Sequence, residues 1–341
     1  MRKDFLYPLP KLPTMKCTLL KPTQEHLRDC ARQLSEGEVI GVPTETVYGL
    51  AGNALSESSA RKIFSIKGRP LIDPLIVHCA HPAAALEHIE APLNFEPLAT
   101  AFWPGPMTLI VKKKPSIPAI VTAGLDSVAV RVPHHVIFRS LLEQLDFPLA
   151  APSANPFGYV SPTCAEHVRN TLGHKVATVL DGGPCQHGLE STILDIRDSA
   201  KPTILRHGPI HIEAIEDCLG QAVIDGTHQA NKTGAQTAPG LLAKHYSPTA
   251  QVHLFGASAT PSAQRSRQTA IIFQSKPDLV DGDDSIYWLS EAGDARECAR
   301  NLYALLQRLD TSGFTELWVQ LSSDPVLGRA INDRLQRAAA K

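Results

Sequence analysis

Two stretches near the start of this 341-residue chain carry side chains that suit the binding of an anion. Residues 43–49 bring two threonine hydroxyls, a carboxylate and a phenol directly after an apolar run. Lys67-Gly68-Arg69 then places two cations around a flexible residue, an arrangement that suits a polyphosphate. A solvated helix end, where the helix dipole alone favours cations, is the alternative explanation for Lys67 and Arg69.

These groups need a strand and a helix to hold them in place. Residues 39–42 are predicted to form a buried strand that ends at Pro43, because proline cannot continue a central ladder. Gly49 permits a backbone shape that most residues resist. The end of such a strand is a common place for a ligand pocket in α/β proteins. A helix predicted over residues 58–67 ends at the two cations.

Three further predicted strands carry a basic side chain at or near their ends. His78 ends an apolar run, where a structural role is the alternative to a ligand role. Arg131 lies among apolar residues and needs an anionic partner when buried, either an internal carboxylate or a substrate carboxylate. Arg206 ends another short strand, and one shared pocket would explain the whole pattern.

Small polar residues follow other predicted strands. The strand predicted over residues 148–151 runs into Ser153 and Asn155, and Ser191 stands at the entrance of a later strand. Ser161 precedes a predicted helix, and structural turn chemistry is the alternative to a functional role for this residue. These hydroxyl and amide groups add hydrogen-bonding capacity to the predicted pocket.

Composition narrows the classes of protein and of site. Hydrophobic residues make up 43% and charged residues 20% of the chain, which favours packed cores over disorder. The net charge of -1 gives no strong overall attraction to nucleic acid or membranes, so an anion site must be local. Seven widely spaced cysteines without a CxxC pair indicate reduced thiols in a cytoplasmic protein and argue against a zinc site. No apolar run reaches the length of a membrane span.

The missing motifs also restrict the chemistry. The sequence has no GxSxG elbow, no HExxH and no P-loop, and no residue stands out as a covalent nucleophile. An enzyme with this sequence is therefore expected to act by positioning its substrates and by neutralising charge around a reactive phosphate. Phosphoryl or nucleotidyl chemistry, in which the substrate brings its own nucleophile, fits this description.

The chain divides into four predicted segments. Residues 1–14 are a proline-interrupted extension without the apolar region of a signal peptide, and residues 15–224 form the larger α/β domain. Residues 225–249 form a polar linker that is expected to be mobile. Residues 250–341 form a smaller α/β domain.

Two helices have clear signatures in the sequence. Thr163 and Glu166 have the spacing of a capping box, which predicts that a helix starts there. Residues 295–309 repeat apolar side chains at helical spacing. Four short apolar runs alternate with polar or helical segments after residue 250, which predicts a small parallel α/β sheet.

Several motifs, taken in order, resemble those of the threonylcarbamoyl-AMP synthase family in its long, two-domain YrdC-like form. The resemblance runs over about residues 20–250, and the C-terminal domain fits the long form in size and pattern. The motifs are Pro43-Thr44-Glu45-Thr46-Val47-Tyr48-Gly49-Leu50, Lys67-x-Arg69 with Ser153-x-Asn155, Trp103-Pro104-Gly105-Pro106, Ala129-Val130-Arg131, Glu190-Ser191-Thr192-Ile193 and Lys244-His245-Tyr246-Ser247-Pro248.

The resemblance implies a YrdC-like twisted, mixed open sheet with helices, followed by a smaller Rossmann-like α/β domain. It implies a nucleotidyltransferase that converts L-threonine, bicarbonate or CO2, and ATP into L-threonylcarbamoyl-AMP and diphosphate. Mg2+ would be carried by ATP, with no metal ligand from the protein. The product would supply the t6A modification at position 37 of tRNAs reading ANN codons through a separate transferase complex. The implied protein is cytoplasmic, with at most a weak contact to tRNA or other RNA and none to a membrane.

The resemblance also assigns roles to individual residues. The implied catalytic tetrad is Lys67, Arg69, Ser153 and Asn155. The implied L-threonine site is Thr46, His78, Arg131, Ser153 and Ser191. The implied ATP site is Lys67, Arg69, Asp73, Ser127, Ala151, Ser161, Arg206 and Tyr246. Tyr246 would make the linker a lid over the nucleotide, while Asp73 departs from the asparagine that the family often has.

Two other functions are weighed against this one. A double-stranded RNA-binding or ribosome-assembly protein without catalysis is the first, and the neutral charge speaks against it because backbone binding needs a basic face. The second is the carbamoyl transfer of hydrogenase-maturation proteins. Those chains carry zinc-finger-like and acylphosphatase-like segments that this sequence lacks.

Overall fold

A computed structural model describes residues 16–227, 235–240, 245–256, 268–278 and 285–340. The predicted extension, residues 1–14, lies outside the described residues, as do residues 228–234 and 241–244 of the predicted linker. Lys244 of the last motif is therefore also outside them. No helix in the described ranges is long and apolar enough to cross a membrane.

The larger part of the chain, before the linker, alternates strands and helices. Its strands are β1 (Thr18–Leu20), β2 (Ile40–Val42), β3 (Gly49–Asn53), β4 (Ile76–His78), β5 (Ile89–Glu90), β6 (Met107–Lys113), β7 (Ser127–Arg131), β8 (Leu149–Ala150), β9 (Thr178–Leu180), β10 (Thr192–Asp195), β11 (Thr203–Arg206) and β12 (Ile224–Asp225). Its helices are α1 (Gln24–Ser35), α2 (Glu57–Lys67), α3 (Pro82–Leu86), α4 (Phe95–Phe102), α5 (Val136–Leu142), α6 (Ala165–Leu172) and α7 (Ile212–Leu219).

The strands of this part form one large mixed sheet. Its order is β1-β9-β2-β3-β8-β4-β7-β6-β10-β11-β12, and β5 pairs with β6. The pairs β4–β7 and β6–β10 are parallel, whereas β2–β3 and β6–β7 are antiparallel. The mixed α/β sheet expected from the sequence is confirmed.

The chain after the linker forms a second, smaller sheet. Its strands are β13 (Gln251–Phe255), β14 (Thr269–Ser275), β15 (Ile286–Ser290) and β16 (Glu316–Gln320), and its helices are α8 (Ala295–Thr311) and α9 (Gly328–Ala339). All pairs are parallel, in the order β13-β16-β14-β15. The predicted small parallel sheet is confirmed, and the helix predicted over residues 295–309 is two residues longer.

Apolar packing joins the two sheets. The hydrophobic cluster of the second sheet includes Leu302 and Ile331 from its helices, and also Val47, Val160 and Leu189 from the larger part. Side chains that would be exposed if the larger part stood alone are therefore covered by α8 and α9. Burial of this kind stabilises the contact by about 25 cal/mol per Å² of apolar surface.

Local chemistry explains where the helix before the two cations begins and ends. Ser56 caps α2, with its hydroxyl accepting a hydrogen bond from the Ser59 N–H at 3.2 Å. Gly68 ends the helix in the left-handed conformation, at φ 64°. The Arg69 N–H can then donate to the Phe64 carbonyl at 3.0 Å, so the chain turns sharply between Lys67 and Arg69.

The predicted capping box is wrong. The cap of α6 is Cys164, which has extended backbone angles and makes no side-chain capping bond. The Thr163 N–H instead lies 3.2 Å from Nδ1 of His167, and Glu166 pairs with Arg169 one turn further on. The histidine ring therefore replaces the acidic residue as the partner of Thr163.

Gly68→Ala is expected to lower the free energy of unfolding by about 1 kcal/mol, because residues with a Cβ disfavour the left-handed conformation. A Cβ at Gly68 meets nothing within 4 Å, so the cost is conformational and not steric. Gly68→Asn is expected to cost less, since asparagine tolerates this conformation. Urea denaturation of the three proteins measures the difference, and equal stability of all three would contradict this account of the turn.

Candidate active site

One pocket collects most of the residues that the sequence singles out. It opens where the turn after β2, the ends of β4 and β7, the start of β10 and the end of β11 meet. Its lining is Thr44, Thr46, Val47, Tyr48, Gly49, Arg69, Ile76, His78, Arg131, Ala151, Pro152, Ser153, Glu190, Ser191, Arg206, Pro239, Gly240, His245 and Tyr246. The predicted shared pocket therefore exists, and three arginines line it.

The turn after β2 holds its shape through one threonine. The Oγ1 atom of Thr44 accepts hydrogen bonds from the N–H groups of Thr46 and Val47, at 3.0 and 3.2 Å. The Val47 carbonyl lies 2.7 Å from the same Oγ1. This local network is the kind of turn that threonine favours, and it directs Thr46 into the pocket.

Arg131 has an internal carboxylate partner, which answers the question that the sequence left open. Its Nη2 lies 2.5 Å from Oε1 of Glu45, and its Nη1 donates to the Thr46 hydroxyl at 3.0 Å. Its Nε donates to the Gly105 carbonyl at 3.1 Å. An arginine has five N–H donors, so two remain for a ligand in the pocket.

The charge of Arg131 shapes its neighbours. Burial raises the pKa of Glu45, but the charge and hydrogen bond of Arg131 outweigh burial, and the pKa lies below its usual 4.5. The parallel register of β4 and β7 places His78 beside Arg131. Burial, reinforced by Arg131, lowers the pKa of His78 to about 3, so this imidazole is neutral at physiological pH. Its Nδ1 has no hydrogen-bond partner within the described ranges.

Arg69 and Asp73 form a second buried pair. Nη2 of Arg69 lies 2.9 Å from Oδ1 of Asp73, and the same guanidinium donates to the carbonyls of Asp73 and Pro74. The geometry at the Asp73 carboxylate falls short of a hydrogen bond, and neither oxygen makes one among the described residues. Burial raises the pKa of Asp73, although Arg69 opposes this. Asp73 faces Arg69 and does not line the pocket.

Lys67 lies behind the pocket wall and holds a loop. Its Nζ donates to the carbonyls of Ser153 and Asn155, each at 2.5 Å. Burial, followed by the charge of Arg69, lowers the pKa of Lys67 well below 10.5. The Asn155 amide in turn donates to the carbonyls of Pro156 and Tyr159. Ser153 reaches the pocket, whereas Lys67 and Asn155 support the loop that carries it.

Arg206 joins the strand ends to the linker. Its Nε and Nη2 donate to the carbonyl and hydroxyl of Ser191, at 3.1 and 3.0 Å, and its Nη1 donates to the Pro239 carbonyl at 3.3 Å. The Ser191 hydroxyl also lies 2.7 Å from that of Thr108 on β6. The guanidinium of Arg206, at the end of β11, thus binds both Ser191, at the start of β10, and Pro239 of the linker.

The remaining predicted residues differ in position. Ala151 and Tyr246 line the pocket. The Ser161 hydroxyl is buried and donates to Oε1 of Glu190 at 2.5 Å, so it reaches the lining through that carboxylate. Ser127 begins β7 at the end opposite Arg131, outside the lining, and its ATP role stays a prediction.

Two buried carboxylates were given no role from the sequence, although both belong to motifs quoted there. Glu45 lies next to Thr46 in the same turn, but only the structure identifies it as the anion that the buried Arg131 requires. The hydrogen-bond partners of Glu190 are distant in the sequence: Ser161, Tyr303 and Arg334. Only the structure therefore shows that its buried carboxylate connects these residues.

Residues of the predicted linker form part of the pocket lining. Gly240, His245 and Tyr246 line it, and the free volume that remains is about 40 Å³. By this measure a single water needs about 10–15 Å³, so a few waters fit and a nucleotide does not. A ligand of nucleotide size therefore does not fit the pocket in this conformation.

The arrangement suits the binding of anions better than covalent catalysis. Arg69, Arg131 and Arg206 present charge that does not depend on pH, and no cysteine or lysine is among the lining residues. Arginines of this kind bind carboxylates and phosphates through paired hydrogen bonds.

Comparisons with known proteins cover almost the whole chain. A Sua5/YciO/YrdC family model, described as telomere recombination, matches residues 32–208. A second model, described as threonylcarbamoyl-AMP synthase, C-terminal domain, matches residues 210–340.

Two full-length relatives and one structure agree with these models. Threonylcarbamoyl-AMP synthase of Pyrococcus abyssi is 35% identical over 92% of this chain and 94% of its own. The Bacillus subtilis protein of the same name is 35% identical over 94% of both chains. The crystal structure of P. abyssi Sua5 complexed with L-threonine has a TM-score of 0.83 and 33% identity, covering 96% of this chain and 98% of that one.

Glu45→Gln is expected to lower the free energy of unfolding at pH 7 by about 3 kcal/mol, because it leaves Arg131 buried without its counter-charge. The folded-state pKa of Glu45 lies below 4.5. The stabilisation is therefore fully present above pH 4.5 and is lost as the pH falls through the folded-state value. Urea denaturation between pH 7 and pH 3 should show the two proteins converging in stability.

Glu38→Gln is the matched control for this prediction. Glu38 pairs with Lys62 at 2.9 Å, but its side chain is 51% exposed. Its substitution is expected to cost less than about 1 kcal/mol. A Glu45→Gln cost as small as that of the control, or one independent of pH, would show that the Glu45–Arg131 pair does not stabilise the fold.

Proposed function

The chain belongs to the threonylcarbamoyl-AMP synthase family, and we propose that it makes L-threonylcarbamoyl-AMP and diphosphate from L-threonine, bicarbonate or CO2, and ATP. The threonine amine first adds CO2 and gives up a proton to form a carbamate. A carbamate oxygen attacks the α-phosphorus of ATP, the bond to the β-phosphate oxygen breaks, and diphosphate leaves. When bicarbonate is the source, one water is also released. The enzyme is thus a nucleotidyltransferase that provides t6A precursor for tRNA.

The observation that carries this proposal is the convergence of Arg69, Arg131 and Arg206 on one pocket. Arg131 has two N–H donors left, which suit the threonine carboxylate, and Thr46 and neutral His78 lie beside it. Arg206 donates to Pro239 of the linker, and Arg69 lines the pocket together with His245 and Tyr246, so we expect both arginines to contact the phosphates. The carbamate is the nucleophile, so the protein needs only to align the two anions and reduce their repulsion.

Mg2+ is expected to enter with ATP. No group of three or more His, Cys, Asp and Glu side chains in the described part of the chain can hold a metal ion. The buried carboxylates of Glu45 and Asp73 each face an arginine. We expect the ligands of this ion to come chiefly from phosphates and water. When bound, Mg2+ would neutralise charge on the phosphates, while Arg69 and Arg206 would orient them.

The linker is expected to act as a lid over the nucleotide. Tyr246 is buried, has a positive φ of 62°, and its hydroxyl has no hydrogen-bond partner among the described residues. A residue held in this conformation needs support from its surroundings, which the pocket supplies. Displacement of the linker would admit ATP, and its return would keep water from the labile adenylate.

The wider context of the reaction follows from its product. The adenylate would pass to a separate transferase complex that modifies tRNA, which places the protein in the cytoplasm. The family relationship favours synthesis over the alternative of a double-stranded RNA-binding protein without catalysis. A weak contact with RNA is compatible with synthesis, because the net charge of -1 provides no strong attraction.

Release of diphosphate from ATP and Mg2+ tests the proposed reaction. We expect release only when both L-threonine and bicarbonate are present, and much less with L-serine in place of L-threonine. Release without an amino acid would indicate a nucleotidase. No release by the folded protein under any of these conditions would contradict the proposal.

Tyr246→Phe is expected to weaken the binding of ATP by about three- to tenfold, the range for loss of one hydrogen bond in a closed site. L-Threonine affinity should change less, because Tyr246 lies on the linker side of the pocket. Calorimetry with a non-hydrolysable ATP analogue and with L-threonine measures both. Equal losses for the two ligands would argue against the lid. Tyr159→Phe is the control, since that hydroxyl donates to Asp310 at 2.7 Å and does not line the pocket.

A further inference from the structure

Arg334 of α9 reaches from the smaller part of the chain into the wall of the pocket. Its side chain is fully buried, and its Nε donates to Oε2 of Glu190 at 2.9 Å. Its Nη2 donates to the His207 carbonyl at 2.8 Å, and its Nη1 to Oδ2 of Asp333 at 2.7 Å. The guanidinium therefore holds two separate segments of the larger part at once.

These two segments carry residues of the pocket. Glu190 precedes Ser191 in the chain, and His207 follows Arg206. Ser191 and Arg206 line the pocket and are hydrogen-bonded to each other. Arg334 thus connects the start of β10 to the end of β11 through its bonds to Glu190 and His207.

Helix α8 completes the support of the same carboxylate. The Tyr303 hydroxyl donates to Oε2 of Glu190 at 3.1 Å, and the Gln307 amide donates to the Ser161 carbonyl at 2.9 Å. The backbone at Gly188 lies so close to α8 that a Cβ there would be 2.4 Å from Cα of Arg300. Apart from the bond from Ser161, the hydrogen bonds of the Glu190 carboxylate in the described structure come from the two C-terminal helices.

The linker tyrosine rests on the same two side chains. The rings of Tyr246 and Tyr303 are stacked, with centroids 5.7 Å apart. Arg334 Cζ lies 5.3 Å from the Tyr246 ring centroid, within the range of a cation–π contact. One cluster of Glu190, Tyr303 and Arg334 therefore contacts both the wall of the pocket and the linker tyrosine that lines it.

We propose that Arg334 and Tyr303 of the C-terminal domain are positioning residues for the ATP side of the active site, acting through Glu190 on Ser161, Arg206 and Tyr246. The inference rests on the proposed function. The L-threonine side has further contacts that do not involve Arg334 or Tyr303. Arg131 is fixed by Glu45, and Ser191 contacts Thr108 in addition to Arg206. Docking of the C-terminal helices is therefore coupled to ATP binding more than to L-threonine binding.

The test compares binding of a non-hydrolysable ATP analogue and of L-threonine to the unaltered chain and to Arg334→Met. We expect the analogue to bind at least about tenfold more weakly to the variant, the effect of losing a buried charge-assisted hydrogen bond. L-Threonine affinity should change less than about threefold, and diphosphate release should show a raised KM for ATP. Arg334→Lys keeps the charge but cannot make both contacts, so it should recover only part of the loss.

Arg329→Met is the matched control on the same helix. Arg329 also contacts the larger part, because its Nη1 lies 3.6 Å from Oε1 of Glu213. Its side chain is 51% exposed, and its ion-pair partner is Glu213 and not Glu190. We expect its substitution to change neither affinity. Equal losses for both ligands in Arg334→Met, or no loss for either, would overturn the inference.

Two further measurements keep the outcome clear. If Arg334→Met does not fold, Tyr303→Phe removes one hydroxyl from Glu190 with little change of shape, and it should weaken ATP-analogue binding selectively by a smaller factor. Equal effects on both ligands in that variant would overturn the inference in the same way. Failure of the unaltered chain to bind either ligand would instead contradict the proposed function, so the two failures are distinguishable.

Discussion

The removal of arginine side chains from water is the constraint on which this site depends. An unpaired buried charge costs several kcal/mol, so each guanidinium near the pocket needs oxygen atoms around it. Arg131 has Glu45, Arg69 has Asp73 with two carbonyls, and Arg206 has Ser191 with Pro239. These partners come from turns and strand ends, and they fix the backbone at the points where the ligands are expected.

The pairing leaves the pocket able to bind anions. Carboxylate, carbonyl and hydroxyl oxygens use only part of the five N–H donors of each arginine, and all three arginines line the pocket. Lys67 contributes differently, since its Nζ binds two carbonyls of the loop that carries Ser153. Such a site suits a substrate that brings its own nucleophile, because the protein contributes fixed positive charge and alignment of the substrates.

The second sheet and the linker also contact buried charges near the pocket. Glu190 is buried, and its counter-charge, Arg334, comes from the last helix of the chain. Tyr246 lies between this cluster and the pocket, so the cover of the pocket and its wall share one support. The C-terminal domain is thereby connected physically to the chemistry, although it contributes none of the predicted substrate ligands.

The sequence by itself determined the α/β class, the parallel second sheet, and the positions of Thr46, His78, Arg131, Ser191 and Arg206 at strand ends and turns. These features depend on local periodicity and turn chemistry, which a short stretch of sequence contains. The prediction of a capping box was wrong although Thr163 and Glu166 have the required spacing, because the Thr163 N–H donates to the His167 ring instead. A local sequence pattern cannot show which of several nearby polar groups forms the hydrogen bond.

Only the tertiary structure decided which charges meet. Arg334 and Glu190 are 144 positions apart, and the carbonyls bound by Lys67 are 86 and 88 positions from it. Such pairs arise from the order in which strands and helices pack, and the desolvation of a group depends on everything that surrounds it. For this reason the sequence could indicate that Arg131 needs an anion, while the fold alone showed that Glu45 supplies it and that the C-terminal helices contact Glu190 in the pocket wall.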